Sequence, residues 1–297
     1  MRLFVALGNL AQRFVVALVA VPILLVVLYV HRPEPTWVVI FAASLIAMYE
    51  LFAMLLPAED RRAALVLGAV ATAAFYWTDS VALEGYRSVP SQVLLGAARA
   101  GWTAPVVLAV IAPGLYYLFR FRDIPSVAGR YAATVIGIVY AGYLTTYLAK
   151  LKLLDQVAPG RGGDAVVIVL IIAWIADTGA YFAGRFLGKS RLYEAVSPKK
   201  TWAGAWGGLA GSVIGVAALQ LVKADWLTWL DVALLAIPGG ILGQLGDLTE
   251  SLIKRSVGVK DSGGLLPGHG GILDRIDAVL FIAPYVYGYL VIRGAVG

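Results

Sequence analysis

Residues 246–277 read GDLTESLIKRSVGVKDSGGLLPGHGGILDRID, and this charged segment carries a density of ionisable side chains unusual for so apolar a chain. Asp247, Glu250 and Lys254 are spaced three and four residues apart, so they share one face of a predicted helix. Asp274 and Asp277 share a face at the start of a second predicted helix. The glycine-rich loop between them, residues 262–271, contains glycines and a proline that exclude a regular helix. The pattern predicts helix, loop, helix, with carboxylates on both flanks.

The overall composition is that of a membrane protein. Hydrophobic residues make up 60% of the 297 residues, charged residues make up 14%, and the mean hydropathy is +0.82. These values are typical of a polytopic chain rather than a soluble domain. Nine apolar segments are long enough, or nearly long enough, to span a bilayer: Phe14–Val30, Thr36–Leu56, Ala63–Trp77, Ala104–Phe119, Tyr131–Ala149, Ala165–Phe186, Ala203–Val222, Trp229–Leu245 and Ile276–Ile292. We therefore predict an all-α polytopic membrane protein with about nine transmembrane helices and a polar, cytoplasm-facing cavity in its C-terminal half.

Composition also excludes several classes of function. The chain has no cysteine, which rules out disulfides, thiolate metal ligands and a cysteine nucleophile. The net charge of +6 fits loops that face anionic lipid. No basic patch alternates with aromatic residues, so no nucleic-acid partner is predicted. The apolar run that follows the first residues is too long for a signal peptide, and we expect a retained first helix.

Lysine and arginine predict the orientation of the chain. With the N-terminus in the cytoplasm, 16 of the 24 basic residues fall on the cytoplasmic side, as the positive-inside rule requires. We therefore expect a multi-pass protein of the inner (cytoplasmic) membrane with its active site facing the cytoplasm. Residues 1–130 are predicted to be structural, lipid-facing helices, and residues 131–297 are predicted to form the catalytic region.

Acidic residues on both sides of the glycine-rich loop are candidate metal ligands. Carboxylate oxygens from two helix ends suit Mg²⁺, with room for a second cation, because this ion completes its shell with substrate phosphates. We predict Asp247, Asp274 and Asp277 as ligands. The alternative is that Asp274 caps the last helix and pairs with Arg275. Asp261 fits a turn-forming role as well as it fits ligation.

Basic residues in the same segment suit phosphate groups. Four side chains can neutralise the charge of a triphosphate or a lipid phosphate: Lys254, Arg255, Lys260 and Arg275. Lys254 is best placed, because it lies on the same predicted helix face as Asp247. Exposed backbone N–H groups of the glycine-rich loop would add phosphate donors. His269 lies between glycines, where it either binds a ligand or orders the loop through a hydrogen bond.

A polar residue also interrupts an apolar segment upstream. Asp177 lies inside the segment 165–186, with Tyr181 and Arg185 one and two turns later on the same face. An ionisable residue at that depth marks a functional site by default, and the alternative is a buried pair with Arg185. We therefore count Asp177 among the candidate metal ligands and predict that its helix faces a polar cavity.

The sequence SPKKTWAG, residues 197–204, forms a second candidate phosphate site. Ser197 is predicted as the N-cap of a helix, which places Lys199 and Lys200 in the first turn. The helix dipole disfavours cations there, and an anionic ligand held by these three residues would resolve the conflict. The alternative is simple anchoring of the next membrane helix. The glycines at positions 207, 211 and 215 predict close helix packing and no chemistry.

The charged segment resembles the signature of the phosphatidate cytidylyltransferase (CDP-diacylglycerol synthase) family. The positions that carry the resemblance are Ser251, Lys254-Arg255, Lys260-Asp261, Gly263, Leu266-Pro267, His269-Gly270-Gly271, Asp274-Arg275 and Asp277. SPKKTWAG resembles a second element of the same family, so the likeness covers roughly residues 173–277. It implies a Mg²⁺-dependent, in-line nucleotidyl transfer in phospholipid biosynthesis, in which CTP and phosphatidate give CDP-diacylglycerol and pyrophosphate. It also suggests a homodimer. For this reaction we predict that Asp247, Lys254, Asp274 and Asp277 are the catalytic residues.

Two other activities stay open at this point. A membrane cytidylyltransferase acting on an isoprenoid ether lipid phosphate would carry the same signature, because contacts with lipid tails lie in featureless apolar helices. A transporter of a phosphorylated solute would share the interrupted helices and the intramembrane aspartate, although no internal repeat is visible. A CDP-alcohol phosphotransferase is disfavoured, because its characteristic Asp-Gly…Ala-Arg…Gly…Asp…Asp run is absent from the sequence.

Overall fold

The computed structural model describes residues 9–82, 101, 103–120, 123–264 and 270–294. Helices dominate these ranges, in the order α1 (Asn9–Tyr29), α2 (Glu34–Leu55), α3 (Ala58–Ala82), α4 (Thr103–Arg120), α5 (Ile124–Gly137), a π-helical turn (Ile138–Tyr143), α6 (Leu144–Lys152), a 3₁₀ turn (Leu153–Gln156), α7 (Arg161–Leu187), α8 (Trp202–Val222), α9 (Trp229–Ser256) and α10 (Leu273–Ile292). A hairpin of β1 (Arg191–Tyr193) and β2 (Ser197–Thr201) connects α7 to α8. The prediction of an all-α polytopic membrane protein is confirmed.

Every predicted apolar segment coincides with a helix. Within the described ranges, seven helical stretches are long and apolar enough to cross a membrane: α2, α4, the continuous stretch Ile124–Gln156, α7, α8, α9 and α10. Helix α1 contributes a shorter apolar stretch, Ala20–Tyr29, and α3 begins with a charged turn that contains Glu59 and Asp60. The total of nine spans therefore stays a prediction.

Helices α7 and α8 approach each other closely along the predicted glycine ridge. A Cβ atom added at Gly207 would lie 2.2 Å from the Cβ of Ala183, and one added at Gly211 would lie 2.7 Å from the carbonyl oxygen of Ile175. Small residues allow such contact between membrane helices, where van der Waals packing rather than hydrophobic burial holds helices together. The packing role predicted for this ridge is confirmed, and it holds the part of α7 that contains Asp177 against Gly207 and Gly211 of α8.

Helices α9 and α10 are also joined through glycines. A Cβ atom at Gly243 would lie 2.9 Å from the side chain of Ile282, and one at Gly246 would lie 2.8 Å from the carbonyl oxygen of Asp277. The end of α9 therefore lies directly against the first turns of α10. This arrangement confirms the predicted helix, loop, helix pattern for the described part of the charged segment.

Two clusters of buried apolar side chains hold the bundle together, and both combine early and late parts of the chain. One cluster includes Leu28 with Ile172 and Val286. The other places Met48 and Phe52 of α2 together with Leu273 and Leu280 of α10. The helix that carries Asp274 and Asp277 is thus packed against helices that precede residue 130.

The hairpin corrects one local prediction. Ser197 lies at the start of β2, where it pairs with Tyr193 of β1, and it is not the N-cap of α8. Thr201 caps α8 instead, because its Oγ1 accepts a hydrogen bond of 3.1 Å from the backbone N–H of Gly204. The predicted cap was wrong because Ser-Pro is an N-cap signal only where a helix follows, whereas here it begins a strand. Lys199 and Lys200 therefore project from a strand rather than from a first helical turn.

Candidate active site

An open cavity of about 410 Å³ lies where α7, the hairpin, α8, α9 and α10 meet. Its polar lining consists of Asp177, Tyr181, Arg185, Lys199, Lys200, Thr201, Gln244 and Asp247. Its apolar lining includes Ile172, Ala176 and Gly240. From Ile172 to Arg185 the cavity follows α7 over 14 residues, and the 13 steps between these two residues correspond to about 20 Å at the helical rise. One end of the cavity is therefore charged and the other end is apolar.

Helix α7 presents the polar face that its sequence predicts. Asp177, Tyr181 and Arg185 all line the cavity, and the Arg185 guanidinium donates a hydrogen bond of 2.6 Å to the Tyr181 hydroxyl. The guanidinium carbon lies 5.9 Å from the centre of the Tyr181 ring, within the range of a cation–π contact. The predicted polar cavity beside Asp177 is present. Among the described contacts Arg185 pairs with Tyr181 rather than with Asp177.

The hairpin places two lysines at the charged end of the cavity. Lys199 and Lys200 both line it, and the Nζ atom of Lys200 lies 2.5 Å from the Oδ2 atom of Asp247 on α9. Both side chains of this pair stay accessible, with 26% and 31% of their surface exposed. A cation suited to phosphate and an anion suited to metal therefore stand side by side and open to the cavity.

Two carboxylates, Asp177 and Asp247, line the cavity, and a third, Asp277 on α10, lies close to Asp247 without being part of the lining. Asp247 repels both Asp177 and Asp277 electrostatically, and Lys200 and Arg275 supply opposing charge to Asp177. The close contact between Gly246 and the backbone of Asp277 explains this proximity. Such a cluster of hard oxygen donors fits a divalent cation, because a bound cation would offset the repulsion between the carboxylates.

The donor set is suited to a cation that is shared with a substrate. Within the described ranges, no three acidic or histidine side chains are gathered closely enough to form a metal site on their own. Mg²⁺ is usually held by one or two carboxylates together with phosphate oxygens and water. The residues present therefore fit an ion that arrives with phosphates better than a closed structural site.

Asp274 and Lys254 belong to a second, more buried cluster. The Nζ atom of Lys254 lies 2.5 Å from Glu250 Oε2 and 2.7 Å from Asp274 Oδ1. The three side chains are between 1% and 11% exposed. Asp274 also accepts hydrogen bonds from the backbone N–H groups of Ser262 and Gly271. The structure thus separates Asp274 from the cavity lining, although Asp247 and Asp274 were predicted as ligands of the same metal.

Glu50 of α2 lies against the same loop. Its side chain accepts a hydrogen bond of 3.2 Å from the Ser262 hydroxyl, and bonds of 3.1 and 2.9 Å from the backbone N–H groups of Ile272 and Leu273. The residue is only 4% exposed. Two carboxylates, Glu50 and Asp274, therefore hold the N-terminus of α10.

Among the described residues, the others that were predicted to bind phosphate do not line the cavity. Arg255 donates to the carbonyl oxygens of Val196 and Val259, so it ties the hairpin to the chain that follows α9. Lys260, Asp261 and Arg275 are exposed near the same end of the bundle, and Ser197 is half-buried in β2. His269 lies outside the described residues. Their roles in binding stay predictions.

The sequence analysis assigned no role to three polar residues at this end of the bundle. Gln244 lines the cavity and donates to the Ala205 carbonyl, and Glu250 neutralises Lys254. Glu50 interrupts a helix of otherwise apolar character, which is the signal that singled out Asp177. The rule that an ionisable residue within an apolar helix marks a functional site would also have identified Glu50.

Comparison with known proteins shows the family of the chain. The model of the cytidylyltransferase family matches residues 11–293. A Synechocystis protein named phosphatidate cytidylyltransferase is 40% identical over 184 residues, which cover 54% of this chain and 62% of the relative. Proteins of the same name from Bacillus subtilis and Staphylococcus epidermidis are 39% and 46% identical over 51% and 52% of this chain, and the matches cover 55% and 56% of those relatives. The aligned region spans little more than half of these relatives, whereas the family match extends over nearly the whole sequence. The chain belongs to the cytidylyltransferase family.

Proposed function

We propose that this protein is a phosphatidate cytidylyltransferase, which converts CTP and phosphatidate into CDP-diacylglycerol and pyrophosphate. The observation that carries the proposal is the cavity with one charged and one apolar end. Lys199, Lys200 and Arg185 can receive phosphate groups at the charged end, while Ile172 and Ala176 offer an apolar wall. A lipid phosphate has the same division between a charged head and an apolar body. The family membership and the names of the relatives support the same substrates.

The proposed reaction requires positioning and charge neutralisation more than acid–base chemistry. An oxygen of the phosphatidate phosphate attacks the α-phosphorus of CTP and forms a new P–O–P linkage. The bond from the α-phosphorus to the oxygen bridging to the β-phosphorus breaks, and its electron pair leaves with pyrophosphate. The attacking oxygen is already anionic near neutral pH, so no strong general base is needed. In-line alignment and stabilisation of the developing charge account for catalysis of this type.

Each part of the cavity has a role in this reaction. Lys199 and Lys200 on β2 orient and neutralise phosphates, and Arg185 with its Tyr181 partner does so from α7. Asp247, with Asp177 and Asp277 nearby, would hold Mg²⁺, whose chemistry is to neutralise the phosphates and the leaving group. Lys254 and Asp274 keep the start of α10 in place behind this cluster.

The setting of the cavity suits one soluble and one membrane-bound substrate. We place the charged end at the cytoplasmic face of the inner membrane, because the basic residues of the chain favour that side. CTP would enter from the cytoplasm, and phosphatidate would enter sideways between helices along the apolar lining. The homodimer and the catalytic region 131–297 belong to the same proposal, and light scattering of the purified protein would test the dimer.

Formation of the labelled lipid tests the proposal directly. Purified protein in detergent micelles receives phosphatidate, Mg²⁺ and CTP labelled at the α-phosphate. The expected result is transfer of the label to the lipid phase, with loss of transfer on chelation and in Asp247→Asn. Asp225→Asn is the matched control, because Asp225 is an exposed acid in the connection before α9. Transfer to an isoprenoid lipid phosphate but not to phosphatidate would overturn the lipid assignment, and no transfer to either would overturn the activity.

A further inference from the structure

A buried carboxylate from the early part of the chain fixes the start of α10. Glu50 lies five residues before the end of α2, and its side chain reaches the backbone N–H groups of Ile272 and Leu273. It also accepts from the Ser262 hydroxyl in the glycine-rich loop. A carboxylate with so little exposure needs such donors, because burial without hydrogen bonds would strongly disfavour the charge.

Two glycines of the loop leave the space that this carboxylate occupies. A Cβ atom at Gly263 would lie 2.6 Å from Glu50 Oε1, and a Cβ atom at Gly271 would lie 2.4 Å from Glu50 Oε2. Any larger residue at either position would displace the glutamate. The requirement for glycine at these two positions is therefore explained by a protein carboxylate, without reference to a phosphate.

The same contacts change the interpretation of the loop backbone. The N–H groups of Ser262 and Gly271 point to Asp274, and those of Ile272 and Leu273 point to Glu50. The N–H groups of Gly271, Ile272 and Leu273 lie at the start of α10, where a helix N-terminus would otherwise offer them to an anion. The prediction that the loop backbone binds phosphate was therefore wrong for the N–H groups of Ser262 and Gly271, because Asp274 already accepts their hydrogen bonds.

We infer that Glu50 is a positioning residue for nucleotidyl transfer, which holds the N-terminus of α10 so that Asp277 faces Asp247 across the α9–α10 contact. This inference rests on the proposed function. Glu50 acts through Asp274 and Asp277 and does not line the charged cavity at all. Its three bonds tie the loop and the helix to α2, and displacement of α10 by even 1 Å would move Asp277 relative to the reacting groups. Misplacement on that scale costs catalysis up to about 10²-fold.

The test compares Glu50→Gln and Glu50→Asp with Asp60→Asn. Asp60 is an equally buried acid, 5% exposed, but it binds Arg130 and Tyr116 on the early helices. We expect Glu50→Gln to lower kcat on the order of 10- to 10²-fold and to raise the Mg²⁺ concentration needed for half-maximal activity. Glu50→Asp should recover part of the loss, because it restores the charge. Asp60→Asn should leave the Mg²⁺ dependence unchanged even if it lowers the melting temperature as much as Glu50→Gln does.

Amide hydrogen exchange separates failure of this inference from failure of the proposed function. Exchange at residues 271–275 should become faster in Glu50→Gln but not in Asp60→Asn, whatever reaction the protein catalyses. If Glu50→Gln does not fold, Ser262→Ala removes one of the three hydrogen bonds and should produce the same changes in smaller measure. Equal exchange and equal Mg²⁺ dependence in the Glu50 and Asp60 variants would overturn the inference.

Discussion

Lys200 on β2 and Asp247 on α9 form an ion pair of 2.5 Å at the charged end of the cavity, 47 positions apart in the sequence. The two side chains are a quarter to a third exposed, but the Nζ atom of Lys200 is itself buried, so the carboxylate of Asp247 supplies its opposing charge. In the proposed reaction the pair would hold one group for phosphate and one group for metal at a fixed separation.

Replacement of Lys200 should impair catalysis far more than stability. We expect Lys200→Met to lower kcat/KM for CTP on the order of 10²-fold, as removal of one group that stabilises developing charge does in other enzymes. The melting temperature should change little, because the Asp247 side chain is 31% exposed and can be hydrated when the lysine is removed. Steady-state kinetics of lipid labelling measure the first effect. Lys223→Met is the control, because Lys223 is an exposed lysine near Asp164 at the far end of α8. Equal kinetics for the two variants would contradict a role of Lys200 in phosphate binding.

Exchange of the charges of Lys200 and Asp247 should distinguish the effect of the ion pair on stability from the effect of the two groups on activity. The double variant Lys200→Asp, Asp247→Lys keeps an ion pair of opposite charges across the same gap. Thermal melting should therefore be close to that of the unchanged protein, while lipid labelling should be lost, because the carboxylate is no longer on α9 beside Asp277. If the double variant is more active than either single variant, the two residues act only through the attraction between their charges.

The buried triad of Glu250, Lys254 and Asp274 should behave in the opposite way. Lys254→Met leaves two carboxylates buried without their shared cation, and loss of one partner of a buried ion pair costs about 3–5 kcal/mol. We expect a large fall in melting temperature in detergent. Lys254→Met combined with Glu250→Gln should recover part of the loss, because one of the two unpaired charges is removed. Lys260→Met, on an exposed lysine six residues later, is the control and should melt normally. A normal melting temperature for Lys254→Met would show that the triad does not hold the loop.

The N-cap of α8 provides a test that distinguishes Thr201 from Ser197. Thr201→Ala should destabilise α8 by about 1 kcal/mol, because the Gly204 N–H loses its acceptor. Ser197→Ala should not have this effect, since Ser197 lies in β2. Thr201→Ser should restore the cap. Melting curves of the three variants are the measurement, and a larger effect at Ser197 than at Thr201 would contradict the cap found in the structure.

Sequence patterns were most informative where the signal was local or periodic. The helical spacing of Glu250 and Lys254 predicted that they lie on one face of α9, where they form an ion pair, and the depth of Asp177 predicted a polar cavity. The patterns failed at contacts between distant parts of the chain. Ser-Pro at 197 looks like a helix cap until the hairpin partner Tyr193 is known.

The contact of Glu50 with Leu273 spans 223 positions, and no local pattern predicts it. The different surroundings of Asp274 and Asp277 also result from contacts between distant parts of the chain. Asp274 and Asp277 are one turn apart, yet Asp274 turns to Lys254 while Asp277 lies beside Gly246. Their spacing predicts a common helix face but does not reveal which neighbour each one meets, because that depends on how α9 and α10 pack.

The glycine ridge between α7 and α8 yields a final prediction about how the cavity keeps its shape. Gly207→Val would place a branched side chain where even a Cβ atom lies 2.2 Å from Ala183, so the two helices must separate. Because Asp177 and Arg185 lie on α7 while Lys200 precedes α8, separation should widen the cavity and reduce lipid labelling together with the melting temperature. Gly288→Ala is the matched control, since a Cβ atom at this helical glycine meets nothing within 4 Å, and alanine there should be neutral or stabilise by about 0.5–1 kcal/mol. Normal melting and activity in Gly207→Val would show that α7 and α8 tolerate a wider spacing, and that the cavity does not depend on their close contact.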